Sequence, residues 1–176
     1  MQDSLADKKL LMLGGTRNMK EILDAAHDMG IQVGVTDWYD TKISPVKLMA
    51  DEYFDVSITD FPALQKLIRN NNYDGVITGY TDSYLEPYAE LCSLCNLPCY
   101  GTQEQFHILT NKQKYKKLFK EFGVPTLESY RANEINEDFK GYPLMLKPIE
   151  GSGGKGLEIV CNYTEYKETI SNDDVK

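Results

Sequence analysis

Short apolar runs separated by helix-period segments fill the first hundred residues, and that alternation admits little besides a parallel, doubly wound sheet. Residues 10–13 (LLML) form a buried-strand run that breaks at Gly14-Gly15-Thr16. Met19, Ile22, Leu23 and Ala26 then recur at helical spacing, and Gly30 offers the left-handed cap that closes the helix. Ile31, Val33 and Val35 alternate as a second strand ending at Asp37, and a helical piece at 45–50 leads to a third strand near 53–57. Asp60 with Pro62 opens a helix carrying Leu64, Leu67 and Ile68. Residues 75–78 are a fourth strand, followed by Gly79 and the polar turn Thr81-Asp82-Ser83. The next helix carries Tyr88, Leu91, Cys92 and Cys95, with Pro87 in its first turn, and 97–100 read as a last strand. Strands joined through helices pair in parallel and need both faces covered.

The rhythm changes after Gly101. Asn111 caps an amphipathic helix with Tyr115, Leu118, Phe119 and Phe122 expected inward, and Gly123-Val124-Pro125 stops it. Residues 126–131 read as a strand, 132–140 as a polar, acidic stretch, 142–147 as a strand, 150–156 as a glycine-rich loop and 157–160 as a returning strand. A helix starts near 164. The expected domains are 1–110, Rossmann-like, and 111–176, a partial α+β unit. A hairpin with one helix across it is a poor independent core, so the second unit is expected to be interrupted.

Composition narrows the function classes. At 176 residues the chain suits one domain, or a domain and part of another, and 41% hydrophobic residues can bury a core. No window approaches the ~18 apolar residues of a membrane span. The first residues, MQDSLADKK, carry acids where a signal peptide is basic, so a cytoplasmic chain with no membrane partner is expected. A net charge of −8, from 27 acids against 19 bases, argues against nucleic acid as a partner. It leaves a nucleotide open, because a phosphate site needs only a few local cations and amides. Cys92, Cys95 and Cys99, with His107 as an imagined fourth ligand, lack the second paired knuckle of a zinc site and read as ordinary thiols.

The strongest chemical signal is Lys147-Pro148-Ile149-Glu150-Gly151-Ser152-Gly153-Gly154-Lys155-Gly156-Leu157. A strand delivers a lysine, and a loop with four glycines and a serine turns back into a second strand. Glycines let backbone amides approach an anion, and Lys147 adds a point charge. A P-loop is excluded, since Gly156 is followed by Leu157 and a strand rather than by Lys-Ser or Lys-Thr and a helix. Thr110-Asn111-Lys112 opens the helix before Gly123; a lysine in a first turn is mildly disfavoured by the helix dipole, so Lys112 is either solvated or facing an anion. Gly14-Gly15-Thr16-Arg17 lies at the first strand-to-helix turn, where amides can hold a substrate phosphate or carboxylate with Arg17 assisting; a tight turn that simply needs glycine is the even alternative. Thr81 and Asp82 end the fourth strand on the same sheet edge. His27, in a helix, and His107, in a short linker segment, read as structural or solvated, and Trp38 and Tyr39 as core or surface filling.

Together the lysine-headed helix, "GVP", the extended strand, "YPLMLKP" and "EGSGGKG" follow an order that resembles the ATP-grasp superfamily of ligases, which includes biotin carboxylase, the carbamoyl-phosphate synthetase large chain and N5-carboxyaminoimidazole ribonucleotide synthase. Ser44-Pro45 with Ala50-Asp51, residues 74–79 (DGVITG) and "LCNLPCYG" resemble the domain that precedes the grasp in those enzymes. The resemblance covers nearly the whole chain. It implies ATP phosphates held by Lys112, Lys147, Gly151, Ser152, Gly153, Gly154 and Gly156, with Mg²⁺ as cofactor. Separately from the resemblance, the sheet-edge residues Gly14, Gly15, Thr16, Arg17, Thr81 and Asp82 are the candidate substrate contacts. The implied chemistry is activation of a small-molecule carboxylate to an acyl phosphate that an amine-type nucleophile attacks. A homodimer is the association in view. The family's adenine clamp and Mg²⁺ ligands come from a later subdomain, so no metal ligand is assigned in this chain and residues 1–176 are expected to be inactive alone.

Two rival classes carry distinct marks. A nicotinamide-dependent oxidoreductase would use Asp37, 23 residues after Gly14, as its ribose-binding acid, but the second and third fingerprint glycines are missing. A non-catalytic small-molecule-binding module leaves the Lys147 loop without a purpose.

Overall fold

The computed structural model of the chain describes residues 5–147 and 156–171. It divides into two compact units, Met1–Val124 and Pro125–Lys176. In the first unit, β1 (Lys9–Leu13), β2 (Gln32–Thr36), β3 (Glu52–Phe54) and β4 (Gly75–Thr78) form one sheet in the order β3-β2-β1-β4, every pair parallel. The connections include α1 (Lys20–Asp28) and α2 (Phe61–Asn71); α3 (Leu85–Cys95) and α4 (Gln103–Thr110) follow β4. The period of two along a strand sorts the apolar run of β1 between two layers. Leu11 and Leu13 join the cluster of Leu64, Leu67, Ile68, Tyr88, Leu91 and Phe106, whereas Met12 joins Met19, Leu23, Ala26, Val33 and Val35. Both faces of the sheet are thus covered, as the strand–helix alternation requires.

Local chemistry sets the boundaries. Asp60 accepts the Ala63 amide at 3.2 Å to cap α2, and Gly30 takes the left-handed conformation (φ +76°) after α1. Asp51, after the Pro45–Leu48 turn, accepts the Val33 amide at 2.7 Å and His27 Nε2 at 3.1 Å, and so ties β2 to α1. Burial opposes ionisation of Asp51, but the Val33 amide and His27 hold its carboxyl below the usual range. A depressed folded-state value means that this contribution to stability is complete above the unfolded carboxylate value, about 4, and is lost as pH falls through the folded value. Urea unfolding midpoints should therefore drop below about pH 4. Asp51→Asn should flatten that drop; an unchanged acid limb would refute the assignment.

Four expectations are corrected. Residues 97–100 are not a strand. Pro98 has no amide to give, the Leu97 amide closes α3 on the Cys92 carbonyl at 2.9 Å, and the Tyr100 amide donates to Tyr88 Oη at 3.3 Å. The segment that follows is not a linker, since His107 lies inside α4. A Thr102–Gln105 capping box starts that helix, with Gln105 N to Thr102 Oγ1 at 3.1 Å and Thr102 N to Gln105 Oε1 at 2.8 Å. The helix α5 (Lys112–Glu121) forms where expected, capped by Asn111, but it buries no residue. Phe119 and Phe122 stand 38% and 78% exposed, so its apolar stripe is not inward. Residues 126–131 run irregularly rather than as a strand, and the Arg131 amide is taken by the Glu134 carboxylate at 2.6 Å.

The second unit is small. β5 (Leu144–Leu146) pairs antiparallel with β6 (Glu158–Val160), and α6 (Tyr163–Ser171) packs on β6. Ile135, Val160 and Tyr166 form its core, joined by Phe139, Tyr142, Leu144 and Leu146. Met145 and Ile159 face outward, 51% and 64% exposed, so one face of this hairpin is uncovered by the described residues.

Candidate functional site

In a parallel sheet every strand delivers its C-terminal turn to the same edge, and ligands settle where the strand order reverses. Here that point lies between β1 and β4, so residues 14–17 and 79–84 flank it. The two turns are packed together. Gly14 is left-handed (φ +91°), and a Cβ on it would come within 2.6 Å of Tyr84 Cε2, so only glycine fits. Burial, followed by the charge of Asp37 and by Tyr39, pushes the Tyr84 phenol up, which keeps it neutral.

The first turn has an internal frame that defines which atoms remain for a ligand. The Gly14 amide donates to the Thr36 carbonyl at 2.8 Å and the Gly15 amide to Asp37 Oδ2 at 3.0 Å. Asp37 is fully buried and also accepts the Ser44 hydroxyl and, through Oδ1, the Tyr39 amide at 3.1 Å. Val46 donates back to the Gly15 carbonyl at 3.1 Å. The two glycine amides are thus committed to the frame, which leaves partly exposed Thr16 and exposed Arg17 as the accessible members of the set. Asp37, enclosed by these donors, is not presented to a ribose, which removes the basis of the nicotinamide reading. Thr81 and Asp82 are exposed at the start of the Asp82–Tyr84 turn.

Sequence reasoning missed Ser44 and Lys47 as members of this edge. Lys47 is fully buried, and its Nζ donates to the carbonyls of Asp37 (2.5 Å) and Tyr39 and to Asp55 Oδ1 (2.7 Å). The available signal was a lysine set in the otherwise apolar stretch Pro45–Leu48.

Of the expected phosphate-binding residues, Lys112 sits exposed in the first turn of α5, where Asn111 accepts the amides of Gln113 and Lys114 at 3.1 and 3.0 Å. In the second unit Lys147 is exposed directly after β5, and Gly156 (φ +69°) makes the turn before β6. The register Leu146↔Glu158 puts these two at the same end of the hairpin. Gly151, Ser152, Gly153 and Gly154 lie outside the described residues. Among the described residues no group of three or more His, Cys, Asp or Glu side chains is arranged to hold a metal ion. Cys92 is buried, and burial first, then Cys99, pushes its thiol up to about 12. No helix among the described residues is long and apolar enough to cross a membrane.

No family model matches the chain. It is 33% identical over 180 residues to a formate-dependent phosphoribosylglycinamide formyltransferase of Sulfurisphaera tokodaii, a match that takes in 94% of this chain and 43% of the relative. Among solved structures, the biotin carboxylase domain of Hydrogenobacter thermophilus 2-oxoglutarate carboxylase, in complex with MgADP, ADP and bicarbonate, superposes with TM-score 0.73 at 24% identity, over 94% of this chain and 40% of that one. N5-carboxyaminoimidazole synthetase of Staphylococcus aureus complexed with ADP gives TM-score 0.71 at 22% identity, over 95% and 46%. The chain therefore spans less than half the length of the curated relatives it matches. Taken with the parallel sheet and the hairpin that follows it, these matches make the chain homologous to the N-terminal portion of the ATP-grasp ligases.

Proposed function

We propose that this chain is the N-terminal portion of an ATP-dependent carboxylate–amine ligase that works through an acyl phosphate. The sequence match over 94% of the chain to a formate-dependent phosphoribosylglycinamide formyltransferase carries this reading. ATP supplies the phosphoryl group that activates the carboxylate. Lys147, directly after β5, and Lys112, at the head of α5, are each assigned the role of placing positive charge against its phosphates; the other expected phosphate contacts, Gly151, Ser152, Gly153 and Gly154, lie outside the described residues. Such fixed charges and dipoles supply most of the catalysis in phosphoryl transfer. Thr16 and Arg17, with Thr81 and Asp82 across the switch point, take the substrate whose phosphate or carboxylate must be oriented, while Gly14 and Gly15 hold the turn. The described residues offer no metal-binding cluster, so no step is assigned to Mg²⁺ in this chain. The functional division at 110/111 groups α5 with the grasp by its role, although α5 packs against α4 in the first compact unit. A cytoplasmic homodimer completes the proposal.

The test is ADP release by the full-length protein given ATP, formate and phosphoribosylglycinamide, with each omitted in turn, followed by a panel of other small carboxylates and amines. ADP formation that requires both a carboxylate and an amine supports the reading. Residues 1–176 on their own should show no turnover and only weak ATP binding, about millimolar. Robust, substrate-dependent ADP formation by residues 1–176, or carboxylate-independent hydrolysis by the full-length protein, would defeat it.

A further inference from the structure

Lys47 carries a charge where a space-filling role needs none. Its side chain is fully buried, yet Nζ reaches the carbonyls of residues 37 and 39 and the carboxylate of Asp55, itself 74% exposed. Those two carbonyls bracket Trp38, which stands 63% exposed. The stem packs under that turn as well, since a Cβ on Gly15 would lie 3.5 Å from Lys47 Cγ and 3.2 Å from Ser44 Cβ. Asp37, whose carbonyl Lys47 holds, grips the Gly15 amide with its carboxylate. A single ammonium thus locks residues 37–39 to the Gly14–Gly15 frame. An apolar side chain of similar length would avoid the cost of desolvating the charge and would serve bulk stability as well or better. What the ammonium adds is direction, because three oxygens must converge on one point.

We propose that Lys47 is a positioning residue that sets how Thr16, Arg17 and Trp38 face an anionic substrate group at the sheet edge. This rests on the reading of that turn as a substrate site. Substituting Lys47 should leave the sheet intact while moving the two turns, so ligand affinity should fall more than stability does.

The experiment follows backbone amide resonances of the ¹⁵N-labelled chain during titration with inorganic phosphate, with emission of its single tryptophan as a second readout. In the wild type, phosphate should move the Thr16 and Arg17 amides, and Arg17→Ala should weaken that response. Lys47→Met should raise the half-saturating phosphate concentration about tenfold or more. It should also displace the Gly15 amide and alter Trp38 emission while the amides of α2 and α3 keep their positions. Asp55→Asn, a surface change that removes the carboxylate charge paired with the ammonium, should act in the same direction and covers the case in which Lys47→Met does not fold. Wild-type titration curves in both variants, or an unmoved Gly15 amide and Trp38 emission, overturn the positioning role while leaving the turn as a site. A wild type whose Thr16 and Arg17 amides ignore phosphate, or an unaffected Arg17→Ala, overturns the substrate-site reading, and the role of Lys47 falls with it.

Discussion

Lys147→Met in the full-length ligase should lower ATP-dependent phosphate release by about 10²-fold or more, the loss expected when one charge contact to a transition state is removed. Met matches the length of the lysine stem and deletes only the ammonium. Lys147 is exposed directly after β5, and among the described residues no hydrogen bond or ion pair of the hairpin runs through its Nζ, so folding should change by less than about 0.5 kcal/mol. The effect should therefore appear in turnover with the melting temperature unmoved. Lys147→Arg keeps the charge but spreads it over a planar fork, so it should fall between wild type and Met. Steady-state phosphate release at saturating ATP decides the matter, and a Met variant that turns over normally would remove Lys147 from the phosphate site.

The parts that were legible in the sequence are those where one local rule acts alone. The β1 run of 10–13, the helical spacing of Met19, Ile22, Leu23 and Ala26, and the Asp60 and Asn111 caps each follow from a period or a capping side chain, and each forms. The errors sit where tertiary partners decide. Residues 97–100 have strand-like composition, but Tyr88 and Cys92 claim their amides, which only packing could reveal. The Thr102–Gln105 capping box, by contrast, is a local signal that marks a helix start rather than a linker. The site shows the same division. The turns at 14–17 and 81–82 follow from strand ends, whereas the role of Asp37 comes only from packing. Its spacing from Gly14 suggested a ribose contact, but a carboxylate that meets the Gly15 amide and the Ser44 hydroxyl is framework. No spacing rule announces that Lys47, ten residues further on, points back into the same turn.

The largest loss of stability is expected from Gly34→Ala in the middle of β2. Glycine is a weak strand former, and inside a strand it usually marks a close approach. Here the approach is Tyr73, 5% exposed, whose hydroxyl would lie 1.8 Å from an added Cβ and whose Cζ would lie 2.7 Å away. The ring cannot swing aside freely, because Tyr73 Oη donates to Glu52 Oε1 at 2.7 Å on the neighbouring strand and Lys9 Nζ, paired with the same Glu52 at 3.1 Å, stands 5.2 Å over the ring. Burial, then the Glu52 carboxylate, pushes the phenol well above its ordinary range, so it remains a donor throughout the working pH range. The methyl must displace the ring or part β2 from β3, which adds an overpacking cost to the loss of a hydrogen bond to a charged acceptor. Together these amount to about 3 kcal/mol. For a chain of this size that corresponds to a fall of about 10 °C in melting temperature. The clash also fixes the coupling: in a Tyr73→Ala background the obstacle is gone, so the added cost of Gly34→Ala should shrink to well under half. A double-mutant cycle on urea unfolding reads this directly. Equal costs of Gly34→Ala in the two backgrounds would show that strand propensity, not the Tyr73 hydroxyl, keeps glycine at this position.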